Sequence, residues 1–213
     1  MDRLKVEFLG ADLPRAGRAL EVGCGSARLL ARMGCAAPLQ LVALDPAPNA
    51  LAVAQRTAAI AGVSMLRTRG DALRLPFPDG SFDLVLSGGL LEHFPEPEGV
   101  LAEMVRILKP GGTFYADVVP RKFSVYRVRE YPRMRRTEWF LPGVPESAHG
   151  PERYADALAR LGCAAVRSQW AGLYPPRAWP GLARLTRPLD GTPVAAALGW
   201  YFMIAARRGG ARA

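Results

Sequence analysis

Gly23-Cys24-Gly25 follows the apolar run 18–22 and precedes a helix-forming stretch. A strand, a glycine turn and a helix in that order make a nucleotide-binding arrangement. The glycines let a ligand approach the backbone, and the first N–H groups of the helix attract an anion. Asp45 lies 22 residues beyond Gly23, at the end of a second apolar run, where its carboxylate can accept both hydroxyls of a ribose. Hydrogen bonds of this charged kind contribute about 1.5–3 kcal/mol each. A dinucleotide site asks for a third small residue at the sixth position of the turn. Arg28 stands there, and the small residue is Ala27, one place earlier, which points away from NAD. Asp71 closes a third run and suits either a ligand contact or a turn. Asp83 opens a fourth run and reads as structural. His93 and His149 are the two imidazoles that can take a proton near neutral pH, and both also suit loop packing. Cys24, Cys35 and Cys163 share no metal-ligand spacing, so neither a metal site nor a disulfide framework is expected.

These residues need strands to carry them. The expected strands are 18–22, 39–44, 63–69, 82–86, 113–119, 164–172 and 195–207, each bounded by glycine, proline or aspartate. The expected helices are 26–33 capped by Ser26, 48–61 stopped by Gly62, 98–108 ended by Lys109-Pro110-Gly111-Gly112, and 151–161. Strands alternating with helices imply right-handed crossovers and a parallel sheet covered on both faces.

A chain of 213 residues, half of them apolar and 22% charged, makes one generous domain rather than a disordered chain. Its N-terminus lacks the basic and apolar segments of a secretory signal. The longest apolar run, 194–206, falls short of the roughly 20 residues that cross a membrane. A cytoplasmic protein is expected. The charge of +9 is uneven: residues 1–119 carry 12 basic and 13 acidic side chains, residues 120–213 carry 16 and 6. The densest stretch, 121–136, holds seven basic residues against Glu130. It reads as a solvated face or as a field that draws an anionic substrate, nucleic acid or an acidic membrane surface.

Four segments, LEVGCGSA (20–27), ALDPAPNAL (43–51), GDALRLPFPDGSFDLVLSGGLLEHF (70–94) and EMVRILKPGGTF (103–114), together resemble the class I S-adenosylmethionine-dependent methyltransferases, in particular the methyltransferase type 11 group. The likeness covers residues 18–119 in the usual order; beyond 120 only the layout agrees. Ala27 departs from it, since the family usually carries glycine there. The resemblance implies a Rossmann-like α/β fold: a doubly wound seven-stranded sheet, mostly parallel, with an antiparallel C-terminal hairpin. It implies a single domain with a cofactor half at 1–119, a variable insert or lid at 120–150, and a C-terminal helix and hairpin at 151–213. The short stretch before the first strand implies a reduced helical cap over the substrate.

The same resemblance implies S-adenosyl-L-methionine as cofactor and S-adenosyl-L-homocysteine as product. It sets the methionine part against Glu21, Gly23, Cys24 and Gly25, and the ribose on Asp45 with Pro46 beside the adenine. The adenine amino group and ring edge fall to Asp71, Ala72 and Leu73, and the sulfonium end to Ser87 and Gly88. His93 and His149 are the candidate bases. Arg121, Tyr126 and Arg129 are the candidate acceptor contacts in the insert. The leading function is methylation of a small molecule, anionic or lipid-like. Two alternatives stand beside it: a nucleic-acid methyltransferase using the basic half, and a non-catalytic cofactor-binding protein. The sequence has no Asn-Pro-Pro-Tyr segment of the amine-directed DNA enzymes and no transmembrane segment, and leaves peripheral membrane contact open.

Overall fold

A computed structural model describes residues 2–124, 146–173 and 185–210. Seven strands form one sheet in the order β3-β2-β1-β4-β5-β7-β6. They are β1 (Gly17–Val22), β2 (Leu39–Asp45), β3 (Met65–Arg69), β4 (Phe82–Gly88), β5 (Leu108–Val118), β6 (Cys163–Ala171) and β7 (Tyr201–Arg208). The first five run parallel; β7 pairs antiparallel with both β5 and β6. The described helices are α1 (Asp2–Leu9), α2 (Arg28–Ala36), α3 (Pro48–Ala61), α4 (Glu98–Ile107), α5 (Pro151–Arg160) and α6 (Pro193–Leu198).

The central strands are apolar on both faces, as a parallel sheet covered twice requires. Alternate residues feed two cores. Leu20, Val22, Val42, Leu44 and Val85 join α4 and α5 through Leu101, Met104, Tyr154 and Leu158. Ala19, Leu41, Ala43, Leu84 and Leu86 join α1, α2 and α3 through Leu9, Leu30, Met33 and Ala54. Because β1 and β4 are adjacent while their crossovers lie on opposite sides, a crevice opens at their C-terminal ends, where ligands bind in such sheets.

Four local expectations need correcting. Ser26 does not cap α2: the N-cap is Ala27, with φ 51°, and no side chain caps the helix end. Gly34 does not stop α2 but lies inside it, because a Cβ there would meet Leu41 Cδ1 at 2.5 Å. Lys109–Gly112 does not precede β5. It lies within the strand as a register shift, Phe82 facing Leu108 and Leu84 facing Thr113. Residues 195–200 are not strand. Pro193 starts the alanine-rich α6, and Gly199 passes so close to the carbonyls of Ala195 and Ala171 that a Cβ would lie 2.5 and 2.6 Å from them. Pro at the first helical turn and a run of good helix formers outweigh the apolar pattern there.

Candidate active site

The glycine turn is shaped by what surrounds it. Gly23 has φ 63°, and a Cβ would press on Leu90 Cδ1 at 2.7 Å. Gly25 has φ 49° and nothing within 4 Å of where its Cβ would be, so the turn is open on that side. Ala27 is also left-handed, with φ 51°, which explains why glycine suits this position. Its buried methyl and the bond from its N–H to the Cys24 carbonyl, 2.7 Å, hold the turn.

Two carboxylates brace this turn. Glu21 is 4% exposed, and its Oε2 accepts the Leu30 N–H at 3.3 Å, serving the first turn of α2 that lacks its own cap. Asp45, 8% exposed, accepts the Gly25 N–H at 3.0 Å on Oδ2 and the Ala47 N–H at 2.9 Å on Oδ1. It therefore ties the end of β1 to the end of β2. Each oxygen has two lone pairs, so this carboxylate retains capacity toward a ligand beside Gly25. Cys24 lies between them. Burial first, then Glu21 and Asp45, push its thiol up to about 12, which makes it a packing group rather than a nucleophile.

The neighbouring strand ends complete the crevice. Asp71 Oδ1 accepts the Leu73 N–H at 2.9 Å, an Asx turn; Asp71 and Leu73 are exposed and Ala72 is buried. Pro46 is exposed, and its carbonyl accepts from Arg69 Nε at 3.0 Å. Ser87 is fully buried, and its Oγ has no hydrogen-bond partner among the described residues. A Cβ on Gly88 would lie 3.3 Å from Asp117 Oδ1 and 3.7 Å from Glu21 Oε1, so two carboxylates face one bare stretch of backbone. Acidic side chains, an orphaned hydroxyl and an open glycine turn suit a polar, cationic nucleoside such as S-adenosylmethionine.

Residues 20–116 match the family described as methyltransferase domain. The chain is 34% identical over 143 residues to the demethylmenaquinone methyltransferase of Thermus thermophilus, covering 64% of this chain and 63% of that one. It is 38% identical over 120 residues to the fatty-acid O-methyltransferase of Mycolicibacterium smegmatis, covering 54% and 41%. The chain thus spans less than two thirds of these relatives. In fold it is similar to a SAM-dependent methyltransferase of Thermotoga maritima, TM-score 0.66 at 20% identity, covering 97% of this chain and 87% of that one. Residues 20–116 are thus similar to a methyltransferase domain, and the likeness to the solved structure extends over the whole fold.

Three residues in and around this segment escaped the sequence reading. Glu92 is 3% exposed, and its Oε2 has no hydrogen-bond partner among the described residues. Burial pushes its carboxyl up to about 8, with Asp117 and Glu146 adding to the push against a hydrogen bond from the Val119 backbone. Asp117, at the end of β5, forms a buried ion pair with Lys5 of α1 at 2.8 Å. The acid inside the apolar stretch FYADVV was the available signal for Asp117, and the apolar neighbours in LLEHF the signal for Glu92. Nothing local marks Lys5, which arrives from the other end of the sequence.

The histidines sit differently. His93 is half-buried on the short 3-10 turn Leu91–His93 after β4, its N–H on the Leu90 carbonyl at 3.1 Å. His149 Nε2 lies 2.9 Å from the Pro95 carbonyl and 2.8 Å from Arg153 Nη1, which also lies 3.3 Å from Nδ1. Arg153 in turn grips Glu98 at 2.9 and 3.1 Å. These bonds fasten His149 to the start of α4, and none of them joins it to Glu21, Asp45 or Asp71. Arg121 is exposed and its N–H donates to the Ser147 carbonyl at 2.7 Å. Tyr126 and Arg129 lie outside the described residues. Among the described residues no three His, Cys, Asp or Glu side chains gather as a metal site, and no helix is long and apolar enough to cross a membrane.

Proposed function

We propose that the chain is an S-adenosylmethionine-dependent methyltransferase acting on a small-molecule acceptor, anionic or lipid-like. The observation that carries this reading is Asp45, a carboxylate at the end of β2 that already holds Gly25 of an open glycine turn and has lone pairs to spare. In this reading Asp45 takes the ribose hydroxyls and Glu21, Gly23, Cys24 and Gly25 take the methionine part. Pro46, Asp71, Ala72 and Leu73 border the adenine, and Ser87 and Gly88 face the sulfur. The cofactor supplies a methyl group already activated by the positive charge on sulfur. The chain's own task is to hold an acceptor in line with it, and such positioning is worth roughly 7–11 kcal/mol. His93, on the turn that directly follows β4 and its Ser87 and Gly88, is the candidate to take a proton. The basic segment with Arg121, Tyr126 and Arg129 would form the acceptor side of a single domain.

The relatives named for demethylmenaquinone and for fatty acids support a small apolar acceptor, and the fatty-acid O-methyltransferase supports an oxygen as the atom methylated. A screen of metabolite extracts with methyl-labelled cofactor tests the reading. Transfer of label into a small extractable molecule is expected. Label appearing only in RNA, or in nothing while the cofactor binds, would favour the nucleic-acid or the non-catalytic alternative.

A further inference from the structure

Arg106 of α4 clamps the loop between β3 and β4. Its Nε donates to Glu103 Oε1 at 2.7 Å. Nη1 donates to the Phe77 carbonyl at 2.9 Å and to Asp79 at 2.7 Å. Nη2 donates to the Leu75 carbonyl at 3.1 Å and to Glu103 Oε2 at 2.9 Å. A guanidinium carries five N–H donors in a rigid fork, and here each has an acceptor. Glu103 Oε2 also accepts the Leu75 N–H at 2.8 Å, so Leu75 is held at both its N–H and its carbonyl. Farther along, the Gly80 N–H donates to the Arg106 carbonyl at 3.1 Å and the Ser81 N–H to the Ile107 carbonyl at 2.7 Å. Directly before Leu75 stands the turn 71–74. Asp71 and Arg74 pair as an antiparallel bridge, and Asp71 Oδ1 takes the Leu73 N–H. Asp71 Oδ2 has no partner among the described residues. A Cβ on Gly99 of α4 would lie 3.2 Å from Leu73 Cδ2, so the turn also rides on α4.

We propose that Arg106 is a positioning residue that gives the cofactor site its preference for a 6-aminopurine, acting through Asp71. The inference rests on the methyltransferase reading, in which Asp71 borders the adenine, and deepens it. The bond to the Leu73 N–H fixes Asp71 within its own turn. The clamp on Leu75 fixes that turn against α4, and α4 is packed on the sheet through Leu101 and Met104. Asp71 Oδ2 is then held where it can accept an N–H of an exocyclic amino group. A purine with a carbonyl at that carbon turns an oxygen toward the carboxylate with no proton between them, and such a mismatch is what rejects a near-isostere. Lysine cannot replace Arg106, because an ammonium is a point charge with three donors and lacks the planar fork.

The test is calorimetry on the full chain with S-adenosylhomocysteine and S-inosylhomocysteine, whose purines carry an amino group and a carbonyl at the same carbon. The wild-type chain should prefer the adenine compound by about tenfold or more, the worth of a hydrogen bond to a charged group. Arg106→Gln and Arg106→Lys should each bring that preference below about threefold, chiefly by weakening the adenine compound. Glu103→Gln, a milder change to the same clamp, should lower the preference too, and it carries the test if the Arg106 variants do not fold. With Asp71→Ala already in place, Arg106→Gln should not alter the preference further. A role in stability alone would lower the urea midpoint and weaken both compounds equally, and that result would overturn the proposal. So would an unaltered preference in the folded Arg106 variants, or equal binding of the two compounds by the wild-type chain. Failure of the wild-type chain to bind S-adenosylhomocysteine would instead overturn the methyltransferase reading.

Discussion

The same sheet carries acids at both ends, and the two ends use them differently. At the N-terminal end Asp83 accepts the Arg18 N–H at 2.8 Å and Lys109 Nζ on both oxygens, at 3.0 and 2.8 Å. Burial pushes its carboxyl upward, but Lys109 and the Arg18 amide outweigh that and hold it below the usual range. Asp12 nearby is likewise pushed up by burial and drawn lower by Arg207 and Arg167. A cavity of about 290 Å³ opens there beside Arg15 and Gly112, and its acids are already spent on bases. At the C-terminal end Asp117 is paired with Lys5, but Asp45 and Asp71 accept backbone N–H groups, and among the described residues no ion pair neutralises them. An acid saturated by lysine or arginine holds the fold. An acid that holds only backbone can hold a ligand as well.

Substitution can break this contrast. Asp45→Ala should weaken S-adenosylmethionine by about 2–4 kcal/mol in calorimetry, since it removes a charged acceptor from two hydroxyls and frees the Gly25 amide. Full affinity in that variant would show that the ribose is held elsewhere. Asp83→Ala should leave cofactor affinity within about 0.5 kcal/mol. It should instead lower stability by about 1–2 kcal/mol in denaturant unfolding, with the Arg18 amide and Lys109 left without their acceptor.

Glu92 sharpens the contrast through pH. The folded carboxyl keeps its proton to about pH 8, whereas an unfolded one releases it near 4.5. Unfolding therefore releases a proton in that window, and raising the pH favours the unfolded chain by up to about 1.4 kcal/mol per unit. The contribution is fully present below pH 4.5 and lost as pH rises through 8. Glu92→Gln should flatten this part of the profile, measured as urea midpoints at pH 5.5, 6.5 and 7.5. Identical slopes for the two proteins would mean that Glu92 titrates as an ordinary exposed acid. The smallest effect concerns thiols. A maleimide at pH 7.5 should label exposed Cys35 in the folded chain and reach Cys24 and Cys163 only on unfolding.

Much of this frame is legible in the sequence because it is local. The runs RALEV and LQLVAL predict β1 and β2 within a residue, and Pro48 and Gly62 bracket α3. The glycine turn and Asp45 belong to the same short segments, so the end of the sheet carrying the site follows from them. What escapes is set by tertiary contact. Gly34 lies inside its helix because Leu41 of the next strand needs the room. α6 replaces the start of an expected strand where Gly199 must pass Ala171. Lys5 meets Asp117 across the whole cofactor half, a pairing that no spacing rule contains.

The account stands most directly on what the C-terminal end of the sheet binds. Calorimetric titration of the wild-type chain with S-adenosylmethionine, S-adenosylhomocysteine and NAD, each in turn, measures this without any knowledge of the acceptor. The account predicts one-to-one binding of the first two and no competition by NAD. Tight binding of NAD with none of S-adenosylmethionine would contradict it.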